Sequence, residues 1–252
     1  MVLRSRGACA TLADHVREQT MVQTRHYNLE NVFDADSTPG VFGKVATQLM
    51  CLHQLVRQFD SPLVLECGVN EGWSSGVLAH ACELQAGRLV SLDIADCSAA
   101  IDSEVWTFIQ TDDADLDFVL SHVPELERGI DIVYIDSLHS PRHVAKLTSL
   151  YYPLVKQGGY LAFDDVDPGP FMQGRRKDNA NMEVVWRGIA DAVLDFFHAN
   201  EDDLLLEFHF GSTGLAIMKK LAQIDKLPQP ARRLRRRSFT LRSLARQLLT
   251  RR

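Results

Sequence analysis

Two short acidic segments carry the strongest chemical signal in this 252-residue chain. The first is Asp136-Ser137-Leu138-His139, closing the apolar run Asp131-Ile132-Val133-Tyr134-Ile135; the second is Asp164-Asp165, closing Tyr160-Leu161-Ala162-Phe163. If both runs are neighbouring parallel strands, Asp136, Asp164 and Asp165 meet at one sheet edge. Three converging carboxylates repel one another unless a cation sits among them, and oxygen ligands favour Mg²⁺, Mn²⁺ or Ca²⁺ over zinc. A divalent cation lowers the pKa of a bound hydroxyl and fixes its position, which prepares it as a nucleophile once a base takes the proton. His139 lies three residues beyond Asp136 and, with an ordinary pKa of about 6.5, is expected to be largely neutral at pH 7 and able to accept that proton. The plainer alternative is that one Asp caps a helix and another faces water.

A second signal lies upstream. Leu63–Glu66 runs into Cys67-Gly68-Val69-Asn70-Glu71-Gly72-Trp73-Ser74-Ser75, where a helix begins. Glycines between a strand and a helix let backbone N–H groups approach a ligand without a Cβ in the way. The dinucleotide fingerprint needs G-x-G-x-x-G; here the pattern is Glu66-x-Gly68-x-x-x-Gly72, with an acid in place of the first glycine. An acid there repels a pyrophosphate and suits a cationic ligand. Twenty-seven positions on, Leu89–Asp93 ends in a carboxylate able to accept both hydroxyls of a ribose. The next apolar run, Thr107–Thr111, is followed by Asp112 and Asp113, within reach of an adenine amino group.

These residues need a scaffold that brings strand ends together. Strand patterns fall at Leu63–Cys67, Leu89–Asp93, Thr107–Thr111, Ile130–Asp136 and Tyr160–Phe163, alternating with helical patterns at Ser74–Leu84 and Arg142–Tyr151. That alternation predicts βαβ units around a buried parallel sheet, with helices on both faces. Lys156-Gln157-Gly158-Gly159 reads as a turn. An amphipathic helix is expected over Val41–Phe59, and another at about Met182–His198. Leu204–Phe210 and Leu215–Lys219, separated by Gly211-Ser212-Thr213-Gly214, read as an antiparallel hairpin. The fold class is therefore α/β: a Rossmann-like, doubly wound, seven-stranded, mostly parallel sheet with a C-terminal antiparallel hairpin.

Glu66-x-Gly68-x-x-x-Gly72, Asp93 at the second strand end and the closing hairpin resemble class I S-adenosylmethionine-dependent methyltransferases, over roughly residues 41–220. The resemblance implies S-adenosylmethionine as cofactor. It assigns Glu66, Gly68 and Gly72 to the methionine part, with Ser74 beside them, Asp93 to the ribose, and Asp112 or Asp113 to the adenine. Asp136-Ser137-Leu138-His139 and the later Gly158-Gly159…Asp164-Asp165 are similar to a subgroup, the metal-dependent O-methyltransferases acting on sugars of natural products and polysaccharides. By that resemblance Asp136, Asp164 and Asp165 hold Mg²⁺ and His139 is the base, with Asp136 shared between metal and catalysis. Members commonly have Gly where Ser137 stands, and a small residue where Trp73 stands.

The expected activity is thus Mg-assisted methylation of a hydroxyl on a small molecule or sugar, a catechol-like phenol being the other acceptor class. The competing readings are an NAD-dependent dehydrogenase, which would want glycine at position 66, and a non-catalytic binding protein on the same scaffold. Arg175, Arg176, Lys177, Glu183 and Trp186, in the stretch following the acidic pair, could offer polar or stacking contacts to an acceptor or form a solvated loop.

Composition bounds the rest. Hydrophobic residues make up 46% and charged residues 24%, values of an ordinary globular chain. Of the 27 Lys and Arg, ten follow Asp225 with no acid among them; the 17 before it face all 33 Asp and Glu, a net −16. The expected organisation is an N-terminal helical arm and loop (1–40), the methyltransferase domain (41–225) and a basic tail (226–252). The tail is suited to an anionic membrane surface, to nucleic acid, to the acidic body itself, or to solvent. The five cysteines show no C-x-x-C pair, and no apolar run approaches the ~20 residues of a membrane span, so a cytoplasmic protein is expected. A homo-oligomer is compatible with these features.

Overall fold

The computed structural model describes residues 23–24, 41–175 and 177–233. In chain order the main elements are β1 (Gln23–Thr24), α1 (Val41–Val56), β2 (Leu63–Cys67), α2 (Trp73–Leu84), β3 (Arg88–Asp93), β4 (Ile101–Asp102), β5 (Trp106–Gln110), α3 (Leu116–His122), β6 (Ile130–Ile135), α4 (Pro141–Tyr151), β7 (Val155–Asp164), α5 (Ala180–Ala199), β8 (Leu204–His209) and β9 (Leu215–Lys220). Seven strands form one sheet in the order β5-β3-β2-β6-β7-β9-β8. The first five are parallel, and β9 runs antiparallel to both β7 and β8.

Alternation along the central strands explains why the sheet is covered on both sides. Leu65 and Cys67 of β2 and Val133 and Ile135 of β6 pack with Val144, Leu147 and Tyr151 of α4 and Ile189, Val193 and Phe196 of α5. Val64, Ile132 and Tyr134 point the other way, against Leu49, Leu52 and Val56 of α1 and Val77 and Leu78 of α2. Two apolar layers flank one sheet, as expected of a doubly wound fold.

The strand order has a functional consequence. It reverses direction between β2 and β6: the chain first winds outward through β3 and β5, then returns to place β6 on the far side of β2. The carboxyl ends of β2, β3 and β6 lie there, at the crevice where open α/β sheets take ligands. Backbone hydrogen bonds lock these tips, Gly68 N–H to the Leu92 carbonyl at 2.8 Å and Asp136 N–H to the Cys67 carbonyl at 2.8 Å.

Two expectations need correction. Lys156-Gln157-Gly158-Gly159 is no turn between elements but an irregularity inside the ten-residue β7, where the register with β6 slips between Ile130 and Ile132. Gly158 supplies a φ of +83°, so turn-type residues here make a bulge rather than end a strand. Thr107–Thr111 is shifted by one residue, and α3 was not anticipated; it begins where the Asp115 carboxylate caps the Phe118 N–H. Gln23–Thr24, within the stretch expected as arm and loop, pairs antiparallel with Ile101–Asp102, while the rest of that stretch lies outside the described residues.

The first part of the basic tail lies back on the body. Lys226 pairs with Asp203, the Gln229 N–H donates to Asn200 Oδ1 at 2.7 Å, and Asn200 Nδ2 donates to the Gln229 carbonyl at 3.2 Å. Residues 234–252, on which the membrane and nucleic-acid readings rest, lie outside the described residues. Among the described residues no helix is long and apolar enough to cross a membrane.

Candidate active site

The glycine loop between β2 and α2 is shaped by close backbone approach. Gly68 has φ +98°, and a Cβ there would lie 2.2 Å from the Asp136 carbonyl oxygen, so the two strand tips touch only because position 68 has no side chain. Gly72, at φ +81°, is the residue from which α2 starts. Glu66 does not face the crevice. It is fully buried and accepts hydrogen bonds from the hydroxyls of Ser74 (2.5 Å), Ser75 (2.6 Å) and Ser91 (2.6 Å). Burial pushes its carboxyl up to about 7, against the pull of the three hydroxyls. The sequence expectation of direct cofactor contact therefore changes for Glu66: it braces the loop from behind by gripping the first turn of α2 and the middle of β3. Ser74 serves that brace and also borders a smaller cleft beside Trp73, Leu49 and Tyr134.

Asp93, by contrast, faces the crevice. Its Oδ2 accepts the N–H groups of Val69 (2.9 Å) and Asn70 (3.1 Å), and Oδ1 accepts that of Ala95 (2.9 Å). Partial burial would raise its pKa, but these N–H groups, with the Cys97 thiol, hold it below the usual value. Asp93 is thus firmly ionised and shapes the glycine loop while keeping acceptor capacity toward the cleft.

Farther along the same wall the two candidate adenine acids differ. Asp112 is used locally, its Oδ1 capping the Ala114 N–H at 2.9 Å. Asp113 is buried, with Oδ1 2.8 Å from His143 Nε2 and its backbone carbonyl accepting from the Tyr151 hydroxyl at 2.6 Å. The second carboxylate oxygen of Asp113 is buried without a hydrogen-bond partner. Of the two, Asp113 is the better-built acceptor. His143 and Tyr151, which hold it, carry no sequence signal of their own, because α4 brings them in from thirty or more residues away.

The second half of the site lies where β6 and β7 end side by side. Tyr134 hydroxyl stands 3.1 Å from Asp136 Oδ2 and 3.2 Å from Asp164 Oδ2, one phenolic proton serving two carboxylates. Asp164 Oδ1 accepts from Thr213 Oγ1 and from the Asp165 N–H, both at 2.7 Å. Asp165 adopts φ +62°, a left-handed conformation that aspartate tolerates better than most residues; it turns this carboxylate away from the strand direction and toward His139. His139 Nε2 lies 3.0 Å from Asp165 Oδ2 and 3.8 Å from Asp136 Oδ1.

One ligand atom each from Asp136, His139 and Asp165 falls within 4.8 Å of the others, a spacing that fits a divalent cation. Asp165 Oδ2 is buried and lacks a hydrogen bond of good geometry, as an oxygen reserved for a cation would be. Among the three acids expected to bind metal, Asp136 and Asp165 converge, and Asp164 joins through the shared Tyr134 hydroxyl. Burial raises the pKa of all three. Hydrogen bonds to Asp136 and Asp165 push His139 up to about 10. That direction runs against the neutral imidazole expected at pH 7, because the two carboxylates favour its charged form.

Tyr134 was detectable in principle, since it sits two residues before Asp136 on the same face of β6; Thr213, delivered by the β8–β9 loop, was not. Trp186 is buried, not an exposed stacking platform, and Lys177 covers the Phe171 ring at 5.3 Å. Glu183 pairs with Arg187 one helical turn away. Arg176 lies outside the described residues.

A single cleft of about 750 Å³ joins both halves, running from Gly68 and Asp93 past Asp113 to Asp136, His139 and Asp165. Its size suits a cofactor-sized ligand. Residues 65–166 match the family model described as a methyltransferase domain. No curated protein matches the chain. Among solved structures, the MycE methyltransferase from the mycinamycin biosynthetic pathway, in complex with Mg and SAH, is 22% identical over 78% of this chain and 55% of its own, with a TM-score of 0.53. The chain thus spans just over half the length of MycE. A putative caffeoyl-CoA O-methyltransferase from Staphylococcus aureus is 18% identical over 76% of this chain and 90% of its own, with a TM-score of 0.51. SAH-bound PaMTH1 from Podospora anserina is 13% identical over 87% and 98%, with a TM-score of 0.52. At these identities the likeness concerns the fold. Together with the sheet order it gives the chain a Rossmann-like methyltransferase fold, and the methyltransferase-domain model matches residues 65–166 of it.

Proposed function

We propose that this protein is an S-adenosylmethionine-dependent O-methyltransferase, assisted by Mg²⁺ or another divalent cation, that methylates a hydroxyl of a small molecule or sugar. The observation that carries the reading is the convergence of Asp136, His139 and Asp165 in the same cleft as Asp93 and the glycine loop. Support for the cation comes from the donor set itself and from the Mg in the MycE complexes, one of which also holds mycinamycin VI.

S-adenosylmethionine, when bound, supplies a sulfonium methyl open to in-line attack by an oxygen. Asp93 would receive the ribose hydroxyls and Asp113 the adenine amino group, beside the tips of β2 and β6 that Gly68 lets close on one another. Asp136 and Asp165, with Asp164 behind them, would hold the divalent cation, which supplies Lewis acidity toward an acceptor hydroxyl. His139 stands at their edge, half exposed, where it can take the hydroxyl proton on Nε2. Asp136 and Asp165 favour its charged form, so a cation neutralising those carboxylates would free Nε2 to act as a base. The four described cysteines are free thiols, in keeping with a cytoplasmic setting.

The test is methyl transfer from S-adenosylmethionine to panels of sugar and phenol hydroxyls, with Mg²⁺ and with EDTA. Turnover that requires Mg²⁺ and falls by about 10²–10⁴ in His139→Ala is expected. Turnover indifferent to EDTA and to His139 would refute the cation-and-base assignment, and the preferred panel separates sugar from phenol acceptors.

A further inference from the structure

Trp186 lies on α5, outside every strand tip that builds the site, yet its ring packs against the imidazole of the carboxylate–imidazole cluster. The ring is 2% exposed. Its edge meets the His139 imidazole at a centroid distance of 5.2 Å and an interplanar angle of 72°. The opposite contact is Phe171, at 5.1 Å and 57°, from the turn that follows the acidic pair. The indole Nε1 is buried and forms no hydrogen bond of ordinary geometry with another described residue. The complementary group is Asp165 Oδ2, a buried acceptor that lies 3.0 Å from Nε2 of the same His139 imidazole.

A buried N–H that lacks a well-formed partner costs about 1–3 kcal/mol, so its position calls for a reason. Asp165 supplies one. This residue combines a left-handed backbone with a buried carboxylate oxygen that likewise has no hydrogen bond of good geometry. Nothing in the backbone alone fixes where its carboxylate points. The start of α5 is itself fixed, because the Asn179 side chain accepts the Asn181 and Met182 N–H groups. The indole is therefore carried on a rigid element.

We propose that Trp186 is a positioning residue for the divalent-cation cluster: its indole N–H orients the Asp165 carboxylate and its ring edge sets the plane of the His139 imidazole. The inference rests on the cation reading above and extends it to a residue that touches neither acceptor nor cofactor. Groups that orient a metal's ligands typically contribute 10–100-fold to affinity, and a phenyl ring in place of the indole would keep the packing against His139 and Phe171 while deleting the N–H.

The experiment is calorimetric titration of the full chain and of Trp186→Phe with Mn²⁺ and Mg²⁺ at constant pH, alongside thermal unfolding and titration with S-adenosylmethionine. The expected result is a 10–100-fold loss of cation affinity in Trp186→Phe, with cofactor affinity within twofold of wild type. Equal cation affinity in the two proteins overturns the role of Trp186 alone; no cation binding by the wild type overturns both it and the cation reading. Should Trp186→Phe fail to fold, the indole N–H resonances of the unaltered protein decide, assigned through Trp73→Phe and Trp106→Phe. On saturation with Mg²⁺ the Trp186 resonance should move while that of Trp106, bonded to Ser91, stays. A Trp186 resonance unmoved in Mg²⁺-bound protein overturns the proposal.

Discussion

Glu66 and Asp93 both flank the glycine loop, and their surroundings give them different work. Glu66 has three hydroxyl donors and no solvent; Asp93 has three backbone N–H groups and an open side. Glu66→Ala would leave three serine hydroxyls facing a buried void, so a loss of about 3–5 kcal/mol is expected in urea unfolding. Glu66→Gln should lose far less, because the amide still accepts and the serine hydroxyls can rotate to receive its N–H groups. Equal losses in both variants would show that negative charge, not hydrogen-bond count, matters at position 66. The sequence marked this acid correctly as special but not which way it points. Strand alternation places Glu66 against the first turn of α2, and the serines that satisfy it become neighbours only when that helix packs. Asp136, Asp164 and Asp165 were legible because parallel adjacent strands must end at the same edge. The left-handed turn at Asp165 and the bridging Tyr134 hydroxyl come from tertiary packing.

The loop from β2 to α2 is the element on which cofactor binding depends. Gly68→Ala places a methyl into the Asp136–Ser137 backbone at a φ that alanine disfavours. Either the β2 and β6 tips part or the loop rebuilds, and both displace the N–H groups held by Asp93. The expected outcome is a destabilisation above about 2 kcal/mol together with loss of S-adenosylmethionine binding. Unfolding and calorimetric titration of the same preparation check it, and wild-type behaviour in both would contradict the close approach. Element positions were readable where apolar runs were short and bounded by turn residues, as at Leu63–Cys67, recovered to the residue. The glycine pair at 158–159 misled because the same residues serve a turn and a bulge. Insertion of β9 between β7 and β8 depends on a pairing that no local pattern encodes.

Across the whole molecule, the covered sheet carries a pH-sensitive contact remote from the cleft. His53 of α1 and His80 of α2 are buried, stacked at 5.2 Å, with Nε2 of the first 3.0 Å from Nδ1 of the second. Burial, with the neighbouring ring and Arg57, lowers His53 to about 3; burial, then Arg57, lowers His80 to about 4. Both are neutral in the folded state, while the unfolded chain binds protons near pH 6.5. Their contribution is fully present above that pH and is lost as pH falls from about 6.5 toward 4 and then 3. Between pH 7 and 5, wild type should lose about 2 kcal/mol more stability than His53→Gln, measured by urea unfolding at each pH. A matching pH dependence in the two proteins would contradict this.

The same whole-molecule view joins the two halves of the cleft into one claim, that the strand tips of β2, β3 and β6 bind S-adenosylmethionine. Calorimetric titration of the cofactor into wild type and Asp93→Ala, first in EDTA and then with Mg²⁺, tests it most directly. Micromolar-range binding by wild type, weakened at least about 50-fold in Asp93→Ala, is the predicted result. Folded wild-type protein that takes up no S-adenosylmethionine under either condition would contradict the account.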